Sequence, residues 1–480
     1  MPTPAPDQPS LGQARGTLLA CILASSLSFV EGSVLNVALP AIRESFGAGA
    51  SEVQWVVNAY LLPLSALLLL GGALGDQFGR KRLLLAGTSL FVAASLLCAL
   101  APGFAWLVAG RVLQGLGAAL LLPNSLALLN HAFEGERRGR AIGIWAASGA
   151  AAAAVAPLIG GWLIDHVGWP SIFYINLPIG LGAILLAWRF AAESRNEGAG
   201  RTDYGGALLA TFGLFGLTWG LTLWSSNLRF TSLSIGAIAG GIAGLLAFLW
   251  VERRRGEQAM MPLDLFGDRA FVGLSALTFL LYGAFGAAML LLPYVLIEAK
   301  SFSPLDAGLA MLPLAILIAV ASPIMGRLAS RIGGRLPLSI GPMVVAAGLL
   351  LATRVGSGPD YWTEVFPAVV VMALGMAVAV APLTTSVLAS VDERHSGTAS
   401  GLNSAVARTG GLIATALLGA VLAAKGSALI GSFHSALWAA AAVSVLAGLA
   451  AWFTVPGIKK AARAEPERPS PLSCSASAGR

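Results

Sequence analysis

Gly72-Ala-Leu74-Gly-Asp76-Gln-Phe-Gly79-Arg80-Lys81-Arg82 is a short basic loop between two long apolar runs, and its skeleton returns 254 residues later. There the chain reads Gly326-Arg-Leu328-Ala-Ser330-Arg-Ile-Gly333-Gly-Arg335, with glycine, leucine, glycine and a basic residue at matching spacing. A weaker echo pairs Glu136-Arg137 with Glu393-Arg394. One loop occurring twice, each time after the second apolar run of a series, marks a chain built from two related halves. Parallel repeats of this kind characterise membrane transporters that bind substrate near the bilayer midplane.

The composition around these loops agrees. Of 480 residues, 56% are hydrophobic and only 11% charged, with a mean hydropathy of +0.79. Soluble proteins carry roughly 25% charged residues, and a soluble fold with so little charge would expose large apolar patches. A hydrocarbon core of ~30 Å needs about 20 apolar residues per helix. Runs of that length fall at 17–39, 53–75, 83–101, 105–130, 141–165, 171–190, 205–224, 232–251, 271–293, 307–329, 337–354, 363–389, 397–424 and 435–456, which makes fourteen transmembrane helices. The expected fold is all-α and integral to the membrane: two six-helix bundles related by the repeat, with two extra helices between them. The divisions read as a disordered tail 1–16, a first bundle 17–190, the extra helices with their loops 191–270, a second bundle 271–456 and a disordered tail 457–480. The first apolar run is too long for a signal segment and is read as uncleaved.

A net charge of +7 would suggest nucleic acid in a soluble protein. Its distribution says otherwise, and no nucleic-acid partner is expected. If the N-terminus is cytoplasmic, 23 of the 30 basic residues fall in inner loops and tails, as the positive-inside rule requires. Both termini are therefore expected on the cytoplasmic side of the cell's inner (plasma) membrane, with basic loops facing lipid phosphates. The cysteines, Cys21, Cys98 and Cys474, show no metal or disulfide spacing, so no metal site is expected. All four histidines (His131, His166, His395 and His434) lie at span ends or in loops, and no Walker loop occurs. An enzyme and an ATP-driven pump are both unsupported. A polar-nutrient importer fits poorly, because no Gln follows Gln258 and Asn403 is the sole Asn in the second bundle.

The loop Gly72–Leu83 resembles the signature loop of the major facilitator superfamily, G-x-L-x-D-x-x-G-R-K/R. Further segments resemble the fourteen-helix drug:proton antiporters of that superfamily: Glu31-Gly-Ser-Val-Leu-Asn36-Val-Ala-Leu-Pro40, Trp55-Val-Val-Asn58-Ala-Tyr60-Leu61, Arg111-Val-Leu-Gln114-Gly115-Leu-Gly117 and Pro157-Leu-Ile-Gly160-Gly161. Asn176-Leu-Pro178-Ile-Gly180 and Arg408-Thr-Gly410-Gly411 also fit, so the likeness runs from about residue 17 to 456. Glu31 stands where family members usually carry Asp, and Ala156 where they carry Gly. The resemblance implies export of amphiphilic, drug-like molecules in exchange for protons by alternating access. It implies no cofactor beyond the proton gradient, and a functional monomer. An exporter dedicated to one endogenous metabolite or antibiotic is the alternative, with a non-transporting receptor further away.

Within that frame the intramembrane charges stand out. Glu31 is the only acid placed well inside a span, and a charge at helix centre costs ~2.5–3.5 kcal/mol on insertion scales. It reads as a proton carrier, with a static ion pair as the structural alternative. Arg111 is its expected partner, because ~21 Å of helix above Glu31's inner end and ~9 Å below Arg111's outer end bring both to similar depth. Arg111 bonding only backbone carbonyls is the other reading. Arg408 either binds substrate or stabilises a contact between halves. In the resemblance Gly72, Asp76, Gly79, Arg80 and Lys81 form a conformational latch, with Asp76 meeting a neighbouring helix N-terminus. Pro157, Gly160 and Gly161 should let their helix bend and pack closely. Candidates for an apolar cavity with few polar handles are Asn36, Asn58, Tyr60, Gln114, Asn124, Trp145, Tyr282, Phe285, Met289 and Asn403, alongside Arg408.

Overall fold

The computed structural model describes residues 11–195, 203–256, 259, 261, 263–356, 360–391 and 396–456. Among them the regular structure is helical, without strands. The expected tail segments 1–10 and 457–480, Cys474, and the Glu393-Arg394 pair lie outside the described residues.

The first half comprises α1 (Leu11–Phe46), α2 (Ala50–Phe78), α3 (Arg80–Ala99), α4 (Phe104–Ala132), α5 (Gly135–His166) and a sixth span in two pieces, α6 (Ser171–Tyr174) and α7 (Asn176–Phe190). The extra pair is α8 (Tyr204–Asn227) and α9 (Ser232–Arg255). The second half comprises α10 (Arg269–Glu298), α11 (Pro304–Ile332), α12 (Arg335–Ala352), the broken pair α13 (Tyr361–Glu364) and α14 (Phe366–Ala389), then α15 (Ser396–Ala416), α16 (Gly419–Ala423) and α17 (Ser427–Thr454).

Thirteen helical stretches among the described residues are long and apolar enough to cross a membrane. The fourteenth expected span, 397–424, is more polar. Its helix α15 carries Asn403, Ser404, Arg408, Thr409 and a Gly410-Gly411 pair, and the chain breaks at Leu417–Leu418 before α16. It packs against α10 and α2, with Asn403, Arg408 and Thr409 half-buried and Ser404 exposed.

Three departures from the expected boundaries have local causes. The first helix begins at Leu11, inside the segment read as tail, and the Thr17 hydroxyl donates to the carbonyl of Phe190 at 3.2 Å, tying the added turn to α7. The sixth span breaks at Ile175, next to Tyr174, whose carbonyl loses its i+4 amide donor to Pro178. The fourth span of the second half breaks at Val365, just before Pro367. The counterpart of the sixth span, α17, is continuous, so these breaks are not part of the repeat. Pro40 in α1 and Pro293 in α10 do extend it, within one residue of the 254-residue displacement.

The halves meet along two seams, α2 with α15 and α5 with α11, while α1 also touches α10. Their hydrogen bonds cluster at the end opposite the Arg80–Arg82 loop. There Gln54 donates to the Thr415 carbonyl at 2.7 Å, the Leu305 amide donates to Asp165 at 3.1 Å, and Arg43 reaches the Tyr294 hydroxyl. At the α5–α11 seam a Cβ on Gly161 would lie 2.5 Å from the Pro304 carbonyl, and one on Gly308 2.4 Å from the Pro157 carbonyl. Only glycine permits that approach. α8 lies over the other seam: the Ser225 hydroxyl donates to the Ala416 carbonyl at 2.6 Å, and the Phe215 ring packs, tilted, 5.8 Å from that of Trp55 of α2.

Candidate functional site

Glu31 and Arg111 sit on neighbouring helices deep in the first bundle, 0% and 1% exposed, and their side chains form an ion pair. Five spans converge on it. One Glu31 oxygen accepts from Arg111 of α4, and the other accepts from Asn176 Nδ2, at the start of α7, at 2.8 Å. Arg111 Nε donates to the Val56 carbonyl of α2 at 2.9 Å, and Nη1 also reaches Gln114 Oε1 at 2.8 Å. Gln114 passes its amide to Ser95 of α3 at 2.8 Å, and Asn176 meets the same hydroxyl at 3.3 Å. The guanidinium lies 4.6 Å from the centre of the Tyr60 ring and 5.9 Å from that of Phe173, within cation–π range.

Arg111 pairs with the acid and also bonds a backbone carbonyl, so the reading in which it meets backbone carbonyls alone does not describe it. A buried pair is tolerable only when its remaining lone pairs and protons are satisfied. Asn176, Gln114 and the Val56 carbonyl do that here. Asn176 and Ser95 were not among the expected site residues. Asn176 carried one signal in the sequence, as the first residue of the Asn176-Leu-Pro178-Ile-Gly180 segment that fits the family, and in the structure it begins α7.

Tyr60 is shared between two arginines. Its hydroxyl pairs with Ser28 at 2.7 Å, its ring faces Arg111, and it also lies within electrostatic reach of Arg408 on α15. Tyr282 of α10 lies within reach of the same Arg408. Tyr282, Phe285 and Met289 recur at helical spacing and are all half-buried, so they form one stripe on α10. Asn403 is half-buried and accepts from Thr278 of α10 at 2.7 Å. Asn36 is also half-buried.

Other expected cavity residues are occupied in packing. Asn124 donates to the Gly71 and Leu120 carbonyls at 2.9 and 2.7 Å, fastening α4 to α2, and Gln114 belongs to the ion-pair network. Trp145 donates to Ser25 at 2.9 Å, and Ser25 meets Ser125 at 2.7 Å. Asn58 is fully buried with neither amide atom hydrogen-bonded among the described residues. An apolar pocket of about 250 Å³ lies between α1, α5 and the α6–α7 span, lined by Val30, Val34, Val155, Ile159 and Ile172 among others. None of the expected cavity residues lines it; the polar groups that could choose a ligand lie elsewhere. Among the described residues no three metal-ligating side chains cluster.

The basic loop is built differently from the expectation. Asp76 pairs with Arg80 of the same segment at 2.8 Å instead of meeting a helix N-terminus. That place is taken by Glu193, which follows α7 and accepts from the Lys81 and Arg82 amides at 3.0 and 3.2 Å. A carboxylate there satisfies two orphan donors of α3 and complements its dipole. Gly79 makes room: its φ is +111°, and a Cβ would lie 2.7 Å from the Glu193 carboxyl. Lys81 Nζ closes the cluster on the Trp188 carbonyl at 2.9 Å. Gly160 packs against Val34 of α1, while Gly161 makes the α11 approach described above.

The sequence pattern of the Major Facilitator Superfamily matches residues 21–267 and 274–477. The chain belongs to the Major Facilitator Superfamily. It is thus a multi-pass membrane transporter rather than an enzyme. Among its superfamily relatives, the multidrug resistance protein Stp of Mycobacterium tuberculosis is 36% identical over 410 residues, covering 85% of this chain and 76% of that one. The tetracenomycin C resistance and export protein of Streptomyces glaucescens is 31% identical over 437 residues, covering 90% and 79%. A solved bacterial homologue of the human lysosomal transporter Spinster, inward-facing and unoccupied, superposes with a TM-score of 0.64 at 17% identity, covering 93% of this chain and 97% of that one. At that identity the match speaks for the superfamily fold alone.

Proposed function

We propose that this transporter exports amphiphilic small molecules from the cytoplasm across the plasma membrane in exchange for protons, with Glu31 as the proton carrier. The observation that carries the reading is the placement of Glu31. It is the one acidic side chain in the middle of a described helix; Arg111 of α4 and Asn176 of α7 hold it, and their partners extend the network to α2 and α3. The resistance and export named for the relatives supports the direction of transport. The excess of Lys and Arg in the loops on the Arg80–Arg82 side supports a cytoplasmic orientation for that side and for the termini.

Protonating Glu31 removes the negative member of the pair. Arg111 keeps the Val56 carbonyl, Gln114 and the Tyr60 ring, but loses its tie to α1. The proton therefore changes how firmly α1 is bound to α4 and α2, and alternating access needs such a two-state linkage. With Glu31 wholly buried, loading and release require α1 and α4 to part in another state. The Asp76–Arg80 pair and the Glu193 contact act as the latch on the cytoplasmic side. One chain supplies every group in this scheme, so the monomer is the working unit. A membrane potential contributes ~2.3 kcal/mol per charge per 100 mV, enough for one proton to sustain roughly a fifty-fold gradient of a neutral substrate.

The test is reconstitution in liposomes with an imposed pH gradient and a fluorescent amphiphile such as ethidium. Wild-type protein should move the dye only while the gradient stands, and Glu31→Gln should reduce the driven rate at least a hundred-fold while still binding dye. Gradient-driven movement by Glu31→Gln at the wild-type rate would refute the assignment.

A further inference from the structure

Arg408 is a mid-helix cation with no carboxylate beside it. Among the described residues it makes no ion pair or hydrogen bond, whereas Arg111 divides its guanidinium among Glu31, Gln114 and the Val56 carbonyl. It lies on α15, which packs between α2 and α10, and is half-buried. Tyr60 of α2 and Tyr282 of α10 are the titratable groups within its electrostatic reach. Helix rise puts all three near mid-depth: Tyr60 ~15 Å from one end of its helix, Tyr282 and Arg408 ~20 and ~18 Å from the other. Glu31 cannot serve it, since both its oxygens are taken by Arg111 and Asn176. The remaining described acids stand at helix ends or in loops.

A cation held in the membrane interior is costly unless it meets an anion or a water-filled cavity. The neighbourhood of Arg408 is arranged for an anion that comes and goes. Two phenols flank it, and the Tyr282, Phe285 and Met289 stripe adjoins it on α10. Gly411, three residues on, leaves open space where a side chain would stand. Gly410 lets α15 approach α10, since a Cβ there would fall 2.3 Å from the Phe279 carbonyl.

From this geometry we infer that Arg408 is the anchor of an anion subsite, and that the preferred cargo is an amphiphile bearing one acidic group, a carboxylate or acidic phenol, on an aromatic body. The guanidinium takes the acid through charge-assisted hydrogen bonds, Tyr60 and Tyr282 offer hydroxyl or ring contacts, and the α10 stripe receives the apolar part. Tyr60 also touches Arg111, so an anion on Arg408 acts near the same ring that supports the Glu31 pair. The inference rests on the exporter reading and adds the substrate class to it.

Purified full-length protein is titrated by tryptophan quenching with anthraquinone-2-carboxylate and with its methyl ester, which differ in the charge alone. Wild-type should bind the acid at least ten-fold more tightly than the ester. Arg408→Gln should erase the difference while leaving ester binding within two-fold, and Arg408→Lys should recover part of it. Size-exclusion profiles confirm that each variant is folded. Equal binding of acid and ester by wild-type, or preference for the acid surviving in Arg408→Gln, overturns the subsite. Gradient-driven transport in liposomes then separates the two ideas. If ester and ethidium move but the acid does not, the subsite fails alone; if none of the three moves, the exporter reading fails with it.

Discussion

Two arginines, one in each half of the molecule, meet the membrane in opposite ways. Arg111 is wholly buried and fully committed, with a carboxylate, an amide, a backbone carbonyl and two aromatic rings around it. Arg408 is half-buried and pairs with no acid among the described residues, with two tyrosines for company. The first solves its desolvation with partners drawn from α1 and α2, so it ties helices together. The second leaves the problem open to whatever enters between the halves. A charge whose partners belong to the protein is a joint, and a charge without one is a place.

The largest expected effect tests the joint. Arg111→Met strands the Glu31 carboxylate and should destabilise the protein by about 3–5 kcal/mol, as removal of one member of a buried pair does. Unfolding in mild detergent measures this. Glu31→Gln in the same chain should restore a substantial part, and a double variant no more stable than Arg111→Met would show that the pair is not coupled. Next comes Asn176→Leu, which leaves one Glu31 oxygen unbonded and should cost about 1–3 kcal/mol by the same measurement. Glu193→Gln weakens the charge at the α3 N-terminus and should cost about 0.5–1 kcal/mol. It should also slow turnover, read as a lower maximal transport rate at unchanged dye affinity. Smallest of all, Arg408→Gln should alter stability by no more than about 0.5 kcal/mol. A loss as large as that of Arg111→Met would abolish the distinction between the two arginines.

The fold was legible because lipid imposes simple rules. Apolar runs, basic loops and the Gly72 and Gly326 copies each report topology without needing tertiary detail. The Glu31–Arg111 contact was legible for the same reason, since helix rise fixes depth. What depth cannot give is azimuth. Asn124 and Asn36 look alike in sequence, yet one faces Gly71 across the α2–α4 contact and the other is half-exposed. Glu193 was hidden for a different cause. Its partners, the Lys81 and Arg82 amides, lie over a hundred residues away and become free donors only because a helix begins at Arg80. The repeat is also unequal at this point, with Ser330 where Asp76 stands in the first copy.

The hairpin of α8 and α9 gives the transporter a front and a back. α8 roofs the seam between α2 and α15 through Trp55, Ser225 and Gly419, so protein closes that flank. The opposite seam keeps Val155, Ile159, Trp162, Leu309, Ile316 and Val320 exposed along α5 and α11. The two flanks therefore present different surfaces to the bilayer, a covered seam on one side and an apolar one left open on the other.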